Sequence, residues 1–209
     1  MALVEIRKLR AGTFLGLWRI EESEEEYREQ LWLDEEEMEF LASISHESRR
    51  LQWLASRLLI RRIIQPKGQI LMEWDDFGKP VIINYAFEVS ISHCKDMVAV
   101  IVGDTVTGID IEQKTNKIGR IAHKFMNAAE KEFVEEHQAL EYQLIIWAAK
   151  ETVFKYVGGG GIDFREHLHV KPFVLKEKGS FDMQYTKREI EDHVLHYEWI
   201  EDHILTYCL

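Results

Sequence analysis

Two long helical stretches, each closed by its own stop signal and each followed by strand-like runs, constrain this chain most. The first runs from Ser45 to Ile64 and ends at Pro66-Lys67-Gly68, with Ser45 as a candidate cap and Glu47 in the first turn. The second covers roughly Leu140 to Val157 and stops at Gly158-Gly159-Gly160-Gly161, where glycine removes the steric penalty for leaving a helix. Residues 1–20 alternate apolar and polar, as an opening strand with a turn. Short β-like runs follow the first helix at 69–74, 80–83 and 87–92. Met97 to Val102 and Val106 to Ile111 read as a hairpin around Gly103-Asp104-Thr105. Shorter helices are expected from Ile118 and over 130–136, the latter capped by Asn127 with Glu130 three residues on. The tail from His167 to Leu209 alternates again. Each half thus runs helix then strands, which predicts an α+β chain of two similar subdomains, 1–104 and 105–209, with a cleft between them.

Composition narrows the function classes. A length of 209 residues, 46% hydrophobic, suits one large domain or two small ones with a sizeable core. The formal net charge of −11 argues against a broad nucleic-acid footprint, and much of the acid lies in EESEEEYREQ and DEEEMEF, read as solvated helix faces. No apolar run approaches the roughly 20 residues that span a bilayer. The N-terminal stretch is too charged for a signal peptide. Two cysteines, Cys94 and Cys208, offer neither a disulfide framework nor zinc spacing. These features predict a cytoplasmic protein without a membrane partner.

The chemistry-bearing residues begin with GIDIEQK, 108–114. In a strand, Asp110 and Glu112 share one face, roughly 7 Å apart at about 3.4 Å per residue. Like charges that close resist joint ionisation unless a cation sits between them. In the second long helix Trp147, Glu151 and Lys155 fall at four-residue spacing on one face. Three carboxylates would suit a hard divalent cation such as magnesium, which keeps a substrate phosphate in its shell. Lys79 stands in the turn of GKPVI, and Ser92 and His93 at the strand end of SISHC. Neighbours in a strand face opposite ways, which disfavours a Ser-His or Cys-His nucleophile couple there. Arg50, Arg57 and Arg61 form a stripe on the first helix, with Arg49 and Trp53 beside it. His167 and His169 are a weak zinc signal without a third ligand.

The order GKP, ISH, GIDIE and WAAKETVFK, with a glycine-rich stop, resembles the 4′-phosphopantetheinyl transferases, in particular their larger, two-subdomain type. The resemblance covers about Arg49 to Ile162. It implies an α+β fold of two pseudo-symmetric subdomains, each a helix on a small antiparallel sheet, with the active site in the cleft. It implies transfer of 4′-phosphopantetheine from coenzyme A to a serine of an acyl or peptidyl carrier protein, releasing adenosine 3′,5′-bisphosphate. By resemblance, Asp110, Glu112 and Glu151 hold Mg2+, with Mn2+ as an alternative, and Asp110 joins Glu151 and Lys155 as the catalytic set. Glu151 carries a second role as base for the carrier serine, and Lys155 contacts the phosphates. Lys79, Ser92 and His93 would contact coenzyme A, and Arg49 and Arg57 its 3′-phosphate, with Arg50 a competing choice. A monomer is expected, since a two-half chain can build the cleft alone. Departures are Cys94 where the family often has serine, and DEEEMEF where some relatives carry basic residues. Carriers of this kind are usually acidic, so a local patch is needed, for which Arg120, Lys124 and Lys131 are candidates. Two other readings stay open: a Mg2+-dependent nucleotide phosphohydrolase, and a non-catalytic coenzyme A-binding protein.

Overall fold

The computed structural model describes residues 3–134 and 136–209. The chain divides into two compact units, one ending at Val106 and the other running Thr107–Leu209. The fold is mixed α+β with antiparallel sheets.

The first unit opens with the hairpin β1 (Leu3–Arg10) and β2 (Thr13–Arg19). Helices α1 (Glu24–Gln30), α2 (Glu35–Ser43) and α3 (Glu47–Ile64) follow. Strands β3 (Met72–Trp74) and β4 (Pro80–Ile82) form a two-stranded ribbon. β5 (Glu88–His93) and β6 (Met97–Gly103) complete a sheet of order β1-β2-β6-β5. Helix α3 packs on β2 and β6. Its Leu54, Leu58 and Leu59 share a core with Trp18, Val98, Val100 and Val102. Most glutamates of α1 and α2 are exposed, as expected, and two of them reach arginines of α3. Glu24 on α1 is 2.7 Å from Arg50, and Glu37 on α2 is 3.1 Å from Arg57.

The second unit holds β7 (Gly108–Gln113), α4 (Lys117–Phe125), α5 (Ala128–Glu132) and α6 (Ala139–Val157). Strands β8 (Leu168–Val170), β9 (Lys178–Tyr185), β10 (Glu191–Ile200) and β11 (His203–Cys208) follow. The sheet order is β7-β11-β10-β9-β8, and α6 packs on β7 and β11. Ile145, Ala149 and Val153 of α6 meet Leu168, Met183, Leu195 and Ile204 in one core. Helix α6 ends at Gly158, whose φ of 57° is the left-handed region glycine enters without penalty.

Three expectations are corrected. The hairpin of 97–102 with 106–111 does not form: β6 is central, with β2 on one edge and β5 on the other, so β7 pairs with β11 instead. Ser45 does not cap α3. The cap position is His46, whose carbonyl accepts from the Arg49 and Arg50 amides, and its side chain makes no cap bond. The helix expected over 130–136 includes residue 135, which lies outside the described residues. The helix observed is Ala128–Glu132, with a short 3-10 turn at Glu136–Gln138.

The Asn127 cap does form, with the side chain accepting from the Glu130 amide at 2.9 Å and Glu130 returning a bond to the Asn127 amide. Asn127→Ala is expected to lower stability by about 1 kcal/mol, read from a shift of the urea midpoint at unchanged m-value.

Candidate active site in the second unit

Position 108 decides how close α6 can come to β7. A Cβ there would overlap the backbone carbonyl oxygen of Thr152 and stand 3.0 Å from the Tyr156 Cβ. Glycine therefore lets the helix backbone rest on the strand. The Thr152 hydroxyl sits 2.6 Å from that of Thr206, the register partner of Asp110 on β11, which fixes the height of α6 along the strand.

The close approach brings together the five residues singled out in the sequence. The Trp147 Nε1–H donates to Glu112 at 2.7 Å, and Lys155 Nζ donates to Asp110 at 2.7 Å and to the Ile109 carbonyl at 3.2 Å. Helix and strand therefore run in opposite senses. Glu151, one turn from both Trp147 and Lys155, falls between the levels of the two strand carboxylates. Asp110 is buried, and Glu112 and Glu151 are half-buried.

The electrostatics follow from this crowding. Burial, and then the Asp110 charge, raise Glu112 to about 7, although the Trp147 donor and Lys155 pull the other way. Burial, and then Asp110, likewise raise Glu151 to about 7, opposed by Lys155. The pair of Lys155 with Asp110 does not neutralise the group, so a divalent cation would relieve it. All-oxygen donors suit Mg2+ or Mn2+ better than a soft metal.

The sequence candidates for coenzyme A contact lie in the first unit. Arg49 is exposed, 3.5 Å from Gln52 Oε1. Gln52 Nε2 donates to the Cys94 carbonyl at 2.7 Å, which ties the start of α3 to the end of β5, where Ser92 and His93 stand. Ser92 is buried and pairs with Ala99, while His93 is half-buried and pairs with Val98. Lys79 is 3.4 Å from Glu88, and both line an open cavity of about 610 Å3 with Tyr85, Phe87 and Val89. Arg50 is held by Glu24 at 2.7 Å and the Ile44 carbonyl at 3.0 Å. Arg57 is buried, with its guanidinium 3.5 Å above the Trp53 ring and its Nε on Glu37. Burial lowers its pKa to about 10, with Glu37 opposing. His167 and His169 make local bonds. His167 accepts from the Asp163 amide at 2.9 Å, and His169 lies 3.2 Å from both Asn127 and Thr186.

Comparison with known proteins bears on the half of the chain that carries the carboxylates. Residues 107–208 match the family model of the 4′-phosphopantetheinyl transferase superfamily. The matched segment ends one residue short of the second unit and contains Asp110, Glu112, Trp147, Glu151 and Lys155. No curated protein matches the chain.

Sequence reasoning missed Gly108, the Thr152–Thr206 bond and the role of Lys150. Gly108 opened the quoted motif but carried no assignment. The threonines gave no signal. Lys150 gave one: it falls four residues after Ile146 and three before Val153, on the apolar stripe of α6.

Gly108→Val should wedge α6 from β7 and cost at least about 1–3 kcal/mol, seen as a lower Tm together with weaker Mn2+ binding. Glu112 and Glu151 have raised folded-state pKa values, so each favours folding when protonated. The metal-free protein should therefore lose stability as pH rises from about 4.5 through about 7. Saturating Mg2+ should restore it at pH 8 and have little effect at pH 5. Glu151→Gln should raise the metal-free Tm at pH 8, at about 2–4 °C per kcal/mol, in differential scanning fluorimetry.

Proposed function

We propose that this protein is a 4′-phosphopantetheinyl transferase that moves phosphopantetheine from coenzyme A to a serine of an acyl or peptidyl carrier protein. The family match of the second unit supports phosphopantetheine transfer in general. The observation that carries the finer reading is the group of Asp110, Glu112 and Glu151 around Lys155 inside the matched segment.

In this reading Asp110, Glu112 and Glu151 hold Mg2+ or Mn2+. The metal would offset the negative charge of the coenzyme A pyrophosphate and of the transition state. The chain's own groups do the rest. Glu151 is the carboxylate assigned to take the serine proton as the new P–O bond forms. Lys155 is held beside Asp110 and supplies a positive charge to the phosphate oxygens, where the leaving 3′,5′-bisphosphate develops charge. Trp147 keeps Glu112 oriented and leaves its second oxygen for the metal.

Coenzyme A recognition is assigned to the first unit. Lys79 borders a cavity whose Tyr85 and Phe87 rings suit a purine base. His93 and Ser92 follow as further contacts. Arg49 takes the 3′-phosphate in place of Arg57 and Arg50. Both of those are engaged with carboxylates, and an anion approaching Arg57 would meet Glu36, Glu37 and Glu73 in the adjoining cavity. The exposed basic face of α4, with Lys117, Arg120 and Lys124, is the candidate contact for an acidic carrier, with Lys131 nearby in sequence on α5. A monomeric, cytoplasmic enzyme is part of the proposal. Among the described residues no helix is long and apolar enough to cross a membrane.

Intact-protein mass spectrometry of unmodified carrier proteins, incubated with coenzyme A and Mg2+, tests the reading. A gain of one phosphopantetheine that is lost on chelation supports it. Nucleotide release without carrier modification would support a phosphohydrolase. Binding of coenzyme A without turnover on any carrier would support a binding protein. Asp110→Ala should abolish the transfer without unfolding the protein, and Glu151→Gln should slow it by about 10²–10⁴-fold. Arg49→Ala should raise KM for coenzyme A more than Arg57→Ala among variants that remain folded.

A further inference from the structure

Lys150 precedes Glu151 in sequence but faces the interior, with no exposed surface. Its ammonium donates to the Phe125 carbonyl at 2.7 Å, the Phe164 carbonyl at 2.8 Å and the Glu130 carboxylate at 2.8 Å. All of its donors are thereby used. Glu130, equally buried, accepts from the Asn127 amide at 2.9 Å and the Val170 amide at 2.9 Å. One buried ion pair therefore joins the last residue of α4, the start of α5, the loop after the glycine run, and β8.

A buried ion pair is weak evidence for stability alone, because desolvation offsets much of the attraction. Its contacts suggest a more specific role. Phe125 and Phe164, whose carbonyls Lys150 holds, are also the residues whose rings flank Trp147, with centroids at 5.2 Å and 5.6 Å. Trp147 in turn donates its indole N–H to Glu112. The path from Lys150 to Glu112 thus runs through a direct contact at every step, and it lies within the second unit. An indole swung by a small angle would lose a 2.7 Å bond and let the Glu112 carboxylate rotate.

We infer that Lys150, with Glu130 as its counter-ion, is a positioning residue for Glu112: it anchors Phe125 and Phe164, whose rings hold Trp147, whose indole N–H orients the carboxylate. This rests on the reading of Glu112 as a metal ligand, and it adds a role for the lysine of the Lys150-Glu151 pair. The two adjacent charges serve one site from faces of the helix about 100° apart: Glu151 as a ligand and Lys150 through the aromatic clasp.

The test uses full-length protein with 15N-labelled tryptophan indoles, one for each of six tryptophans, with the Trp147 resonance assigned by its loss in Trp147→Phe. Lys150→Met removes the anchor. Phe164→Leu removes a ring while keeping its carbonyl, and serves if Lys150→Met fails to fold. In either variant, metal-free, the Trp147 indole N–H resonance should move upfield and broaden. Mn2+ affinity, read by electron paramagnetic resonance, should fall about 10-fold. In a Trp147→Phe background the same substitutions should cost no further Mn2+ affinity, although they still lower the Tm. An unmoved Trp147 resonance in a folded variant overturns the inference. So does unchanged Mn2+ affinity, or a full further loss in the Trp147→Phe background. A moved resonance in a protein whose wild type binds no Mn2+ leaves the positioning chain standing and removes the metal reading instead.

Discussion

The direct contact of α6 backbone with β7 at Gly108 is the constraint on which the site depends. A helix normally stands off a sheet by the depth of its side chains. Here the separation is smaller at one point, and the side chains on either side of that point are forced into close quarters. Asp110, Glu112 and Glu151 are charged groups, so the result is electrostatic. Carboxylates that would ionise near their ordinary value in water are raised to about 7 at Glu112 and Glu151. Lys155 and the Trp147 indole offset part of this crowding through their bonds to Asp110 and Glu112.

The second unit places its charges in two layers. On the strand side of α6 lie the half-buried Glu112 and Glu151 and the buried Asp110. On the interior side the Lys150–Glu130 pair is sealed, with burial lowering Lys150 to about 8 against the pull of Glu130. A sealed pair of this kind has little freedom to repack, because a displaced charge would be left uncompensated. That rigidity holds α6 in one packing against its neighbours.

The first unit solves a different problem with the same residue types. Its acidic helices would repel one another and any anionic ligand if all their carboxylates were solvated. Glu24 and Glu37 instead engage Arg50 and Arg57 of α3. Arg49, one residue from Arg50, is left exposed because helical geometry turns adjacent side chains by about 100°.

Much of this was legible in the chain itself. The helical and strand periods placed α3, α4, α6 and most strands, because those signals come from burial of one face and act locally. The Asn127–Glu130 capping box was readable for the same reason. The shared faces of Asp110 with Glu112, and of Glu151 with Lys155, followed from the strand and helix repeats. Three matters were decided only by tertiary structure. Strand partners are chosen by which edges remain open, so the apparent hairpin around Gly103 gave way to pairing across the sheet order. The fate of an arginine depends on whether a distant carboxylate reaches it first, which separated Arg49 from Arg50 and Arg57. The approach of α6 to β7 depends on the absence of a side chain at Gly108, and a missing group leaves no periodic mark in a sequence.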